Sequence, residues 1–100
     1  MRRILKLDAS QSTVIDGNAA ETFAITLKLS VTQLFMRSVL AGQLYVFIVT
    51  QDGQGKHKFT WGDQLINGIP VELTPTAPTV QCYIGLPGNL LYAIMPGTWT

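Results

Sequence analysis

The chain has 100 residues, a length that fits one domain, residues 1–100, rather than several. Hydrophobic residues make up 47% of it, which is typical of a folded globule and excludes a disordered tail. Charged residues are only 13%, and the net charge of +1 gives no indication of a nucleic-acid, acidic-ligand or membrane-surface partner. The start of the chain has no apolar run typical of a signal peptide, so we expect synthesis in a cytoplasm, with use there or as part of an assembly that carries the protein elsewhere.

The apolar pattern, taken in chain order, is that of short strands. Within residues 22–29 large apolar side chains occupy every second position, which predicts a half-buried strand. Residues 44–49 are apolar on both faces, which predicts a central strand covered by the core on one side and by a second layer or a neighbouring subunit on the other. Residues 31–40 fit a strand or a helix. Shorter strands are predicted at residues 4–7, 12–15, 57–61, 71–73, 79–84 and 90–95.

Turn residues separate these segments about every 8–12 residues. Asp52-Gly53 lies between two strand-like segments, which predicts a β-hairpin formed by residues 44–49 and 57–61. Seven to nine short antiparallel strands with this spacing predict an all-β domain, a β-sandwich or jelly roll. The residues predicted to form the core or central sheet are Leu44, Val46, Ile48, Phe59 and Trp61.

Few residues could supply enzyme chemistry. His57 is the single histidine, and no sequence signature places it beside Cys82 or a serine in a hydrolytic triad. Residues 53–56, Gly-Gln-Gly-Lys, lack the first glycine and the final Ser or Thr of a phosphate-binding loop. The carboxylates Asp16, Asp52 and Asp63 each adjoin a glycine, where Asp is favoured by turn geometry alone. We therefore expect no enzyme, no cofactor and no metal site.

Nucleic-acid binding and cysteine chemistry have simpler structural explanations. Lys58 alternates with Phe59 and Trp61, which is the pattern of a strand with its aromatic face on the core rather than on exposed bases. Cys82 is the single cysteine, so an internal disulfide is excluded, and its strand-like context predicts a small buried hydrophobic side chain.

The C-terminal part of the chain, residues 73–100, contains no charged residue. Soluble monomers normally distribute charge over their whole surface, and the cores of protein interfaces are depleted of it. The segment therefore predicts either buried central strands or a surface covered by another chain, and we favour the second interpretation. The residues predicted to lie in this interface are Tyr92, Met95 and Trp99.

Residues 42–61 resemble a hairpin of bacteriophage tail-fibre and virion-appendage domains. In those domains a Gly-Gln entry leads into an apolar strand, a Gln-Asp-Gly-x-Gly turn and a strand that ends in Thr-Trp. The residues that carry this resemblance are Gln51, Asp52, Gly53, Gly55 and Trp61. Residues 23–27 and 68–79 are also similar to those domains, so the resemblance covers about residues 22–82.

The resemblance implies a virion structural protein without catalytic residues. A chain of 100 residues that begins with Met1 is expected to stand free rather than to end a long fibre. In its size, its predicted β structure and its low charge the chain is similar to capsid decoration, or cement, proteins. This resemblance implies a homotrimer that docks on major capsid or tail proteins. Two alternatives stay open. One is a tail-tip adhesin that binds a host glycan through aromatic side chains such as Tyr83, Tyr92 or Trp99, and the other is a small hydrolase that uses His57.

Overall fold

A computed structural model describes residues 3–8 and 12–94 of the chain. These residues form eight strands and no helix, so the predicted all-β class is confirmed, and none of them belongs to a helix that could span a membrane. The strands are β1 (Ile4–Asp8), β2 (Ser12–Asp16), β3 (Thr22–Leu27), β4 (Gln33–Arg37), β5 (Leu44–Gln51), β6 (Leu65–Ile66), β7 (Pro78–Leu86) and β8 (Leu90–Ile94).

The strands are distributed over two sheets. Six of them form a mixed sheet in the order β1-β3-β5-β7-β8-β6, and β2 pairs with β4 in a second, two-stranded sheet. Only the β5–β7 and β7–β8 pairs are antiparallel among the six described strand pairs, so the prediction of antiparallel strands is wrong for the other four. Parallel neighbours need a long crossover connection. Here β2 lies in the connection from β1 to β3, and β4 lies in the connection from β3 to β5, because the first half of the chain winds between the two sheets.

The hairpin predicted after residue 51 does not form. Strand β5 pairs with β3 along one edge and with β7 along the other, so neither edge is open to residues 57–61. Those residues contribute one isolated bridge, from Phe59 to Val31, and residues 71–73 form no strand. The Asp52 carboxylate explains the local difference, because it accepts hydrogen bonds from the backbone N–H groups of Gln54 (3.0 Å) and Gly55 (3.2 Å) in place of a two-residue turn.

The core is built around aromatic rings from three strands and one loop. Phe47, fully buried on β5, contacts the rings of Phe23, Trp61 and Tyr83 at centroid distances of 5.3, 5.6 and 5.5 Å. Both sheets contribute to this single core, since Ile15 of β2 belongs to the same buried cluster. The fixed ring geometry is typical of a close-packed interior.

The residues predicted for the core or central sheet divide between two faces. Trp61 is buried in the core, and Phe59 is half-buried and packs against it. Leu44, Val46 and Ile48 do belong to the central strand β5, but they point away from the core, and their neighbours Tyr45, Phe47 and Val49 are the buried residues.

Glutamine side chains fix the long segment between β5 and β7 in place of a hairpin ladder. Gln51 is 1% exposed, and its Nε2 donates to the backbone carbonyls of His57 (2.7 Å) and Glu72 (2.9 Å). Its Oε1 accepts the His57 backbone N–H at 3.1 Å. On β7 the equally buried Gln81 accepts the backbone N–H of Ile69 at 3.2 Å. These bonds satisfy backbone groups of residues that lie outside every strand.

Candidate interaction surface

The six-stranded sheet has a second face, which points away from the core and is mostly apolar. We call it the outer face. It arises because side chains alternate along each strand, so that the positions between the buried ones form a continuous surface. The outer face consists of Ile4, Lys6 and Asp8 on β1, Thr22, Ala24 and Thr26 on β3, Leu44, Val46, Ile48 and Thr50 on β5, Pro78, Val80, Cys82, Ile84 and Leu86 on β7, and Leu90, Tyr92 and Ile94 on β8.

The strand registers align apolar side chains in rows across this face. One row runs through Ile4, Thr22, Val46, Cys82 and Ile94. Its end at β1 is open to solvent, since Ile4 is 64% exposed. The other members of the row are half-buried, and all of them except Thr22 are apolar.

A second row crosses β5, β7 and β8 through Leu44, Ile84 and Tyr92. Leu44 is 53% exposed and Tyr92 is 45% exposed. Val80, 48% exposed, lies on β7 on the other side of the first row, opposite Ile48. The most accessible apolar side chains of the outer face therefore lie on β5, β7 and β8, and Ile4 is the exposed one at the β1 edge.

Charge is confined to one edge of the outer face. Lys6 and Asp8 on β1 are both exposed, and the outer-face positions of the other strands carry no charged side chain. A shallow, open depression of about 460 Å³ lies at the same edge, with Ala24 and Thr26 among its lining residues. Small-molecule sites are deeper and more enclosed, so the flat outer face suits another protein surface better than a small ligand.

A smaller apolar pair lies on the two-stranded sheet. Val14 and Phe35 are directly paired between β2 and β4, and they are 61% and 63% exposed. Next to them Arg37 and Asp16 form a loose ion pair at 3.8 Å. Val14 and Phe35 are about as exposed as Ile4 of the outer face, but charged side chains border them. They therefore provide a comparison for the outer face.

The structure describes one of the three residues predicted to lie in an interface. Tyr92 lies on the outer face, where its hydroxyl accepts a hydrogen bond from Asn67 Nδ2 at 3.0 Å. Met95 and Trp99 lie outside the described residues. Tyr83 was expected to be available for glycan stacking, but it is fully buried, and this burial raises the pKa of its hydroxyl. It cannot contact a ligand at the surface.

The motif residues that carry the resemblance build a loop rather than a surface. Gln51 and Asp52 hold the chain through their side chains, and Gly55 is buried with a positive φ of 70°. A Cβ atom on Gly55 would lie 2.7 Å from the Pro75 backbone nitrogen, so the chain passes too closely here for any side chain. Trp61 donates its indole N–H to the Ile69 carbonyl at 2.6 Å. Gly53 is exposed at the tip.

The histidine meets a carboxylate in this loop. His57 Nε2 lies 3.0 Å from Asp52 Oδ1, and the two side chains are 15% and 24% exposed. Desolvation raises the pKa of Asp52, but the backbone hydrogen bonds from Gln54 and Gly55 and the contact with His57 together hold that pKa below its usual value. The contact between His57 and Asp52 joins two parts of the loop. Cys82, the nucleophile considered for His57, lies elsewhere, beside Val46 on the outer face. Among residues 3–8 and 12–94, no three His, Cys, Asp or Glu side chains cluster as metal ligands would.

No protein-family model matches the chain, and no curated protein or solved structure matches it either. The function is therefore inferred from the chemistry of the outer face and from the residues of the motif.

Proposed function

We propose that this protein is a structural subunit whose outer face docks on another protein of a larger assembly. The observation that carries the proposal is the apolar, uncharged surface that runs from β3 to β8, with Leu44 and Val80 about half exposed. Four strands about 4.8 Å apart and about five residues along each give it a projected area of roughly 300 Å². That is within the size of the largest apolar patches on soluble monomers, about 300–600 Å², which are often functional.

The size of the outer face supports docking that is repeated many times. At about 25 cal/mol per Å², covering roughly 300 Å² of apolar surface contributes about 8 kcal/mol before association costs of about 4–15 kcal/mol. A single contact of this kind is weak, since standard interfaces cover about 800 Å² per partner. Contacts that repeat over a symmetric shell gain strength from multivalency.

A virion is the assembly that we propose, and the resemblance of residues 42–61 to virion-appendage domains supports it. In this proposal the chain is a capsid decoration protein, the major capsid protein is the partner, and the second sheet completes a sandwich by covering the core from the side opposite the outer face. The alternative within the virion is a tail-tip adhesin, which the exposure of Tyr92 favours because a half-exposed tyrosine ring is able to stack on a sugar.

Antibody–gold labelling tests the virion role. Virus particles purified from the host that carries the gene are labelled with antibody against the chain and examined by electron microscopy. We expect gold over the head. Gold at the tail would favour the adhesin, and particles without gold, when the antibody binds the purified chain adsorbed on the same grid, would contradict the virion role.

A further inference from the structure

Strand β1 is an open edge of the six-stranded sheet, since its described sheet neighbour is β3 alone. The Arg3 carbonyl accepts a hydrogen bond from the Thr22 N–H at 3.1 Å, so the backbone groups of Arg3 point toward β3. Because successive residues of a strand direct their backbone groups to opposite edges, the backbone groups of Leu5 and Leu7 also point toward β3. The alternate residues direct their backbone N–H and C=O groups to the open edge; these are Ile4, Lys6 and Asp8. Such an edge is a template for another strand.

We propose that two copies of this chain pair through their β1 edges, antiparallel and about a two-fold axis, with Leu7 opposite Leu7 of the second copy. In this register Lys6 lies opposite Asp8 of the second copy, and the same contact occurs twice by symmetry. The inference rests on the proposed function, because it specifies how the structural subunit associates with itself.

The charge pattern favours this register over the registers centred on Lys6 and on Asp8. A slip by one residue would set outer-face side chains of one copy beside core-facing side chains of the other, so only shifts of two residues keep the faces aligned. A pair centred on Lys6 opposes two lysines, and a pair centred on Asp8 opposes two aspartates. Like charges directly opposite each other destabilise an antiparallel pair, and opposite charges stabilise it. Centring on Leu7 pairs opposite charges on both sides of the axis.

The backbone geometry agrees with the charges. Lys6 and Asp8 are the residues whose backbone groups face the open edge, so in the Leu7-centred register they form the hydrogen-bonded pairs and Leu7 forms the non-hydrogen-bonded pair. Among residues 3–8 and 12–94, the competing contact of the Asp8 carboxylate is with Lys28 Nζ at 3.5 Å. Its side chain is 71% exposed and that of Lys28 is 61% exposed, so the contact is weak and leaves Asp8 accessible.

The pairing also has a consequence for docking. A two-fold axis perpendicular to the sheet keeps both outer faces on the same side, so two sheets join into one surface with two apolar areas separated by the Lys6 and Asp8 side chains of the β1 seam. Two copies together then offer roughly 600 Å² of apolar surface, closer to the roughly 800 Å² that a standard interface covers on each partner.

Charge exchange across the edge tests the register. Sedimentation equilibrium at low salt is measured for the full chain, for Lys6→Asp, for Asp8→Lys and for the double variant Lys6→Asp/Asp8→Lys. We expect the full chain and the double variant to show twice the 11.0 kDa of one chain. Each single variant places like charges opposite each other twice, and we expect its dimer dissociation constant to rise at least ten-fold. Lys58→Asp is the control, because it makes the same charge change at an exposed residue outside the edge.

Three results would overturn the pairing: a monomeric full chain, a mass of three chains as in a trimer, or a double variant that dissociates as readily as the single variants. The outcome is separable from that of the labelling experiment. A chain that decorates particles as a monomer overturns the edge pairing alone, whereas a dimer that labels no particle overturns the virion role and keeps the edge pairing.

Discussion

Replacing Val80 by Asp is expected to reduce binding of the chain to its particle roughly 100-fold. Val80 lies on the outer face opposite Ile48 and is 48% exposed. In the undocked chain, the carboxylate of the Val80→Asp variant is therefore in contact with water. Docking would then bury an unpaired charge in an apolar contact, which costs about 3 kcal/mol or more. Binding is measured by co-sedimentation of purified chain with particles that lack it.

Val14→Asp is the matched control for this prediction. Val14 is 61% exposed on the two-stranded sheet and receives the same substitution, but it lies outside the outer face. We expect it to bind as the unsubstituted chain does, with both variants showing unchanged circular dichroism. Equal losses of binding by the two variants would contradict the assignment of the outer face.

Replacing Gly85 by Ala is expected to lower the free energy of unfolding by about 3 kcal/mol, near the upper end of the usual cost of overpacking a core. Gly85 is buried on β7, and a Cβ atom there would lie 2.2 Å from the Leu40 carbonyl oxygen. That oxygen belongs to the backbone of a turn held by hydrogen bonds between Gly42 and Gly85 (2.8 Å) and between Gly85 and Gln43 (2.8 Å). The turn therefore has to move away from β7, with the loss of these bonds.

Gly53→Ala is the control for Gly85→Ala. Nothing lies within 4 Å of a Cβ atom at Gly53, and its φ is not positive, so the substitution should change the free energy of unfolding by less than about 0.5 kcal/mol. Urea unfolding followed by circular dichroism measures both variants. If Gly85→Ala is as stable as Gly53→Ala, the close approach of the turn to β7 is wrong.

The strands were predictable from local pattern, but their partners were not. Alternation along residues 22–29 and the apolar run at 44–49 identify β3 and β5 because a strand's burial repeats every second residue. Pairing depends on residues far apart in the chain, such as Thr22 and Val46, which are parallel neighbours. Asp52-Gly53 favours a hairpin locally, yet β7 occupies the edge of β5 that such a hairpin needs.

The candidate surface was predictable only in part for a related reason. A strand that is apolar on both faces, as β5 is, does not reveal which face meets the core. The deciding residues are the aromatic side chains Tyr45 and Phe47, which pack against rings from other strands. The outer face becomes visible once the registers set Val46 of β5 beside Cys82 of β7.

Alkylation of Cys82 tests most directly whether the outer face is the docking surface. Cys82 is the single cysteine of the chain, and it lies half-buried on that face, between Val46 on β5 and Ile94 on β8. Edge pairing leaves it open, whereas docking covers it. We predict that N-ethylmaleimide modifies the chain on particles at least ten-fold more slowly than the free chain. Equal rates on particles and in solution would contradict the account.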